Sequence, residues 1–150
     1  MSSRRSTRRL AFELLFQWDV GGQPLEELLP AEKDGTQPDA GEQNQARQLV
    51  AGLASRVSEL DAVLRRLLVN WDFDRLANTD KNVLRLAVYE MLFKPEIPLV
   101  VSVSEAVNLA REYGDEKSAS FVNGLLGNLK DEIASGKFQV EGKSNASDAN

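Results

Sequence analysis

Apolar side chains recur at helical spacing through the middle of the chain for more than three heptads. Ala46, Leu49, Val50, Leu53, Val57, Leu60, Leu64 and Leu67 fall on one side of a helix. The spacing predicts one long packing helix from Glu42 to Leu68, with Gly52 at a close helix–helix approach. Nothing in the sequence offers a sheet. Ile97-Pro98-Leu99-Val100-Val101 has the composition of a strand, but it has no second strand to pair with, and a lone strand is not stable. The expected class is therefore all-α.

The flanking segments fit that class. The first helix starts in the amino-terminal arm and stops near Val20 at Gly21-Gly22. Pro24 opens a short second helix carrying Leu25, Leu28 and Leu29, and Pro30 closes it. Residues 31 to 41 read as a surface loop. After the long helix, Asn70-Trp71-Asp72-Phe73-Asp74-Arg75-Leu76 forms a polar–aromatic connector. Thr79 or Asp80 is expected to cap the next helix, which carries Val83, Leu84, Leu86, Ala87, Val88 and Met91 and is apolar on most sides. Ser102 and Glu105 have the spacing of a capping box for a fifth helix, which runs to Tyr113 with Gly114 beyond it. Asp115 caps a sixth helix that reaches about Ala134 and ends at Gly136. The tail 137–150 is small and polar and is expected to be disordered. Residues 1–136 then form one compact helical domain.

A chain of 150 residues suits one domain and can bury roughly 70% of its unfolded surface. It contains no Cys and no His. That removes disulfides, thiolate nucleophiles, Cys/His zinc sites and imidazole acid–base chemistry. Asp72, Asp74 and Asp80 gather acid, but without a basic partner, a metal-loop glycine or a nucleophile they do not make a catalytic site. Neither an enzyme activity nor a cofactor or metal is expected. No run of about 18 apolar residues exists to span a membrane, and no signal-peptide core is present. The absence of Cys fits a reducing compartment, so a cytoplasmic location is expected.

Charge is divided unevenly. Arg4, Arg5, Arg8 and Arg9 lie in the first nine residues without an acid among them. Removing these four from 18 basic residues leaves 14 against 23 acidic ones, a net of −9 for the remainder. A positive arm on a negative body points to a restricted polyanion-binding edge. On a helical wheel Ala11, Leu14, Leu15 and Trp18 make a core stripe, while Arg5, Arg8, Arg9, Phe12 and Phe16 share the adjacent face. Arginine matches phosphate and aromatic rings stack on unpaired bases. The plainer alternative is that Phe12 and Phe16 widen the core stripe and the arginines are a solvated helix start. An Arg- and Ser-rich start also looks like a transit peptide, but the core stripe begins at Leu10 without a break.

Three segments carry a resemblance. They are Arg4-Arg5-x-x-Arg8 leading into Leu14-Leu15-Phe16-Gln17-Trp18, then Leu84-Arg85-Leu86-Ala87-Val88-Tyr89-Glu90-Met91, and then Ile97-Pro98 with Asn108-Leu109-Ala110-x-x-Tyr113-Gly114 and Phe121-Val122-Asn123-Gly124-Leu125-Leu126. Together, over residues 4 to 134, they resemble the bacterial transcription antitermination family NusB. The resemblance implies two small packed helical bundles of about six to seven helices. It implies antitermination of ribosomal RNA operons, binding of the single-stranded boxA element of the leader RNA, and action as a heterodimer with NusE, a small-subunit ribosomal protein, in the RNA polymerase antitermination complex. It adds Lys117, Ser118 and Phe121 as RNA candidates, and Val20 and Asp80 as partner-binding candidates. Asp80 also has the plain reading of a helix cap, and Asn123 and Gly124 that of a backbone contact and a close helix approach. Relatives commonly have Tyr where Phe16 stands, more basic residues at Ser6-Thr7, and an acid where Lys117 stands. Two other classes fit the same residues: a helical module serving an RNA-modifying enzyme, as in NusB-like domains fused to RNA methyltransferases, or a protein adaptor without RNA.

Overall fold

The computed structural model describes residues 4–28 and 40–137. The described residues form seven α-helices and one 3-10 helix, and no strand. The expected tail, apart from Lys137, lies outside them, as do Leu29, Pro30 and most of the expected loop. Among the described residues no helix is long and apolar enough to cross a membrane. The chain divides between Val57 and Ser58 into two compact units, in keeping with the two small bundles expected.

The first unit contains α1 (Arg4–Gly21), α2 (Leu25–Leu28) and α3 (Ala40–Ala54). The two longer helices pack on each other. From α3 come Ala46, Val50 and Leu53, an i, i+4, i+7 stripe with no exposed surface. From α1 come Ala11, Phe12 and Leu15. Thr7 Oγ1 donates to Gln45 Oε1 at 3.2 Å and ties the start of α1 to α3.

The long helix expected from Glu42 to Leu68 is two helices. It starts earlier, at Ala40, and breaks at Ser55-Arg56 before α4 (Val57–Leu67). The local bonding explains the break. Ser55 Oγ donates to the Gly52 carbonyl at 2.7 Å, and the Arg56 amide donates to the Leu53 carbonyl three residues back. Serine side chains compete in this way with the helical ladder, and Gly52 weakens it nearby. The apolar period continues across the turn and hides the break.

The second unit is built round α5 (Asn78–Phe93), on which α6 (Leu99–Tyr113) and α7 (Glu116–Ala134) pack. Every residue from Asn82 to Leu92 is buried, as a helix apolar on most sides requires. Its polar members are satisfied. Asn82 Nδ2 donates to the Asn78 carbonyl, and Ser102 Oγ donates to Glu90 Oε1 at 3.0 Å. Arg85 grips Asp61 of α4 with two bonds of 2.8 and 2.9 Å. The 3-10 helix Phe73–Arg75 follows α4, and its buried Phe73 ring carries the guanidinium of Arg65 at 4.6 Å and the ammonium of Lys81 at 5.0 Å.

Several helix ends differ from expectation. The cap of α5 is Ala77, with no side-chain bond, so neither Thr79 nor Asp80 caps it. Asp80 sits instead inside the first turn, where a carboxylate complements the helix dipole. Ser102 does not open α6; that helix begins at Leu99 behind Pro98, and Ser102 is a buried partner of Glu90. The Leu99-Val100-Val101 segment is thus helix and not strand. Asp115 caps α7 as expected, accepting from the Ser118 amide at 2.8 Å. Gly114 is required at this corner: a Cβ there would lie 2.7 Å from both the Ala110 carbonyl oxygen and Ser118 Oγ. Gly124 has no such reason, since a Cβ on it would meet nothing within 4 Å.

Candidate nucleic-acid interface

The arm begins α1 directly. Arg5 and Arg9 are exposed, and Phe16 is half-buried. At 100° per residue these three lie within about 40° of one another, so one face presents two guanidinium groups and an aromatic edge. The Phe16 ring leans on Phe12, with centroids 6.0 Å apart. Val20 stands 49% exposed near the end of the same helix. Arg4 opens the helix.

Two of the residues expected on that face are elsewhere. Phe12 is 3% exposed and Arg8 is 5% exposed. The buried stripe is Arg8, Ala11, Phe12 and Leu15, again an i, i+3, i+4, i+7 set. Leu14 and Trp18, expected in the core, are only half-buried. The sequence permits both stripes because α1 is apolar on three sides; packing against α3 selects the one containing Phe12. In this fold Phe12 backs Phe16 from the core, and Arg8 is a buried member of the packing.

The second unit holds a separate set. A cleft of about 660 Å3 is lined by the connector after α4, the first turn of α5 and the start of α7. Lys117, Ser118 and Phe121 enter it from α7 and Asp80 from α5. Trp71 and Arg75 line it too, and the sequence marked them only as connector. Trp71 is 62% exposed and meets Phe121 edge to face, with centroids 5.3 Å apart and planes at 61°. An aromatic in a polar connector was the available signal; its pairing with a residue fifty positions later was not.

The electrostatics of the cleft are mixed. The Ser118 amide holds the Asp115 carboxyl below the usual carboxylate range. Asp72 accepts from the Asp74 amide and lies 3.8 Å from Arg75 Nε. Arg65 likewise holds the neighbouring Asp74 carboxyl low through a bond of 2.9 Å. Asp80 differs: its Oδ1 is buried without a hydrogen-bond partner. Among the described residues no group of three His, Cys, Asp or Glu side chains could hold a metal ion. The acids therefore offer isolated acceptors, and the cations Lys117 and Arg75 stand exposed at the cleft.

The profile of the NusB family matches residues 5–131. The chain belongs to the NusB family. A transcription antitermination protein NusB of Bacillus licheniformis is 44% identical over 130 residues, covering 87% of this chain and 98% of its own length. The NusB of Myxococcus xanthus is 38% identical and covers 84% of this chain and 93% of its own. Among solved structures, T. maritima NusB superposes with a TM-score of 0.76 at 36% identity, covering 87% of this chain and 92% of that one. A chain from a complex described as antitermination factors NusB and NusE with dsRNA superposes with a TM-score of 0.68 at 28% identity, covering 85% and 96%. The all-helical fold is thus the NusB fold, and the family is one of transcription antitermination proteins.

Proposed function

We propose that this NusB-family chain binds the single-stranded boxA element of ribosomal RNA leaders together with NusE, in the cytoplasm, as part of the RNA polymerase antitermination complex. The observation that carries the proposal is the face of α1 that holds exposed Arg5 and Arg9 beside Phe16, on a chain whose remainder has a net charge of −9. Two exposed guanidiniums attract phosphate, and a half-exposed ring gives an unpaired base a surface to stack on. The related complex holds NusB, NusE and RNA, which supports the same pair of partners here. Lys117, Ser118 and Phe121 form the second RNA-contacting group.

NusE is the proposed occupant of the surface at Val20 and of the surface at Asp80. An exposed valine on a helix end is a natural apolar contact. Asp80 lines the cleft of the second unit beside Asp72 and Asp115, and these carboxylates give a basic partner a complementary surface.

RNA in the related complex is double-stranded, so strandedness is the decisive variable. Anisotropy titrations compare a single-stranded boxA RNA, the same RNA in duplex, and a scrambled single strand, each with NusE present. The single-stranded boxA RNA binds tightest if the proposal holds. Equal or tighter binding of the duplex would contradict it.

A further inference from the structure

We infer that Trp71 is a base-stacking platform: an unpaired RNA base lies against its open indole face in the cleft of the second unit, with Arg75 beside the flanking phosphate. The inference rests on the RNA-binding reading above and adds two residues that it does not include.

Trp71 is one of two tryptophans in the chain and remains 62% exposed, on a short connector between helices. Tryptophan is enriched at contact surfaces, because its ring offers a large apolar face and its N–H a polar handle. The ring is held in place. Phe121 abuts it edge to face at 5.3 Å, and the connector is anchored by the buried Phe73 two positions on. A fixed, exposed indole loses little conformational freedom when a base stacks on it.

The surroundings fit a nucleotide. The cleft, about 660 Å3, is within the usual range for a small-ligand site. Arg75 is 88% exposed at the side chain, and its ion pair with Asp72 is a loose 3.8 Å, so the guanidinium can exchange that contact for a phosphate. Lys117 lies exposed on the same lining. Two of the three carboxylates in the lining are already engaged, Asp72 by the Asp74 amide and Asp115 by the Ser118 amide. They make the interior poor for phosphate and acceptable for a neutral base, which places the phosphate at the Arg75 and Lys117 rim. A cationic side chain from a protein partner is the competing occupant, because an indole face also attracts a guanidinium.

The test uses the full chain with a boxA-type RNA in which single purines are replaced in turn by 2-aminopurine, at saturating NusE. Stacking on an indole quenches the probe. We expect one probe position to be quenched on binding and to recover in Trp71→Ala, with RNA affinity falling about tenfold. Trp71→Phe keeps most of the affinity. Arg75→Ala lowers the log–log salt slope by about 0.7. NusE affinity, measured without RNA, stays at the wild-type value in all three. Wild-type RNA affinity in Trp71→Ala, with tight RNA binding retained and Arg5→Ala/Arg9→Ala impaired, overturns this inference and leaves the RNA-binding reading standing. Weakened NusE binding in Trp71→Ala with RNA affinity unchanged assigns the platform to the protein partner and overturns it too. No RNA binding by the wild-type complex removes both readings.

Discussion

Arg5 and Arg8 are three residues apart, yet α1 sends one to solvent and the other into the packing. The consequence is a division of labour within the arginine arm. Arg5→Ala and Arg9→Ala should each lower the salt slope of RNA binding by about 0.7 with little effect on the melting temperature. Arg8→Ala should lower the melting temperature. A slope unchanged in Arg5→Ala/Arg9→Ala, with helicity intact by circular dichroism, contradicts the electrostatic role. The aromatics divide in the same way. Phe12 is in the core, so Phe12→Ala should cost roughly 3–5 kcal/mol in urea unfolding. Trp18→Ala should cost clearly less, because Trp18 is half-buried. Equal losses would mean that the buried stripe is wrongly placed. This is where the sequence could be read only in part. Ala11 and Leu15 belong to both possible stripes and were correctly expected inside. The wheel puts Leu14 and Trp18 inside and Phe12 on the adjacent face, and the structure reverses this, since each is apolar and only the partner helix decides among them.

At the scale of elements, punctuation is legible at the two ends of α7, where the residue type itself carries the signal. Asp115 announced the start of α7, and Gly136, with a φ of +77°, its end. Misreadings arose where a residue of capping type is used for a distant partner. Ser102 serves Glu90, twelve residues away, and Asp80 caps nothing. The break between α3 and α4 was missed because both helices keep the same apolar period. Two tests follow from these elements. Arg85 holds Asp61 with two bonds, and both side chains are largely buried, at 8% and 20% exposure. Asp61→Ala leaves a buried guanidinium without its carboxylate, so it should cost about 3–5 kcal/mol in urea unfolding. A loss no larger than that of an exposed substitution would show that the pair does not hold α4 to α5. The Asp115 cap gives a pH signature. Its folded carboxyl titrates below its ordinary range, so the folded state binds fewer protons than the unfolded state in acid. The cap's contribution is therefore complete above the ordinary aspartate value and fades as pH falls through the depressed one. Asp115→Asn should melt lower than wild type at neutral pH, and the gap should narrow in acid. A gap independent of pH contradicts the charged cap.

The whole molecule combines a small positive edge with a negative remainder, and this limits what it does by itself. RNA approaching most of the chain meets a net charge of −9. The exposed arginines of the arm neutralise few phosphates, and phosphate contacts carry little sequence information. The all-α class and the family were legible from apolar spacing and three sequence segments. The cleft was not, because Trp71 and Phe121 meet only through tertiary packing of the second unit. A basic partner is expected to supply the missing affinity, so that RNA and NusE bind with positive coupling. A coupling of about 1–3 kcal/mol is expected, equal in both directions as linkage requires. Calorimetry of boxA RNA binding at fixed salt, with and without saturating NusE, measures it directly. The RNA dissociation constant should be about 5- to 150-fold smaller with NusE present. The same constant in both titrations would contradict it.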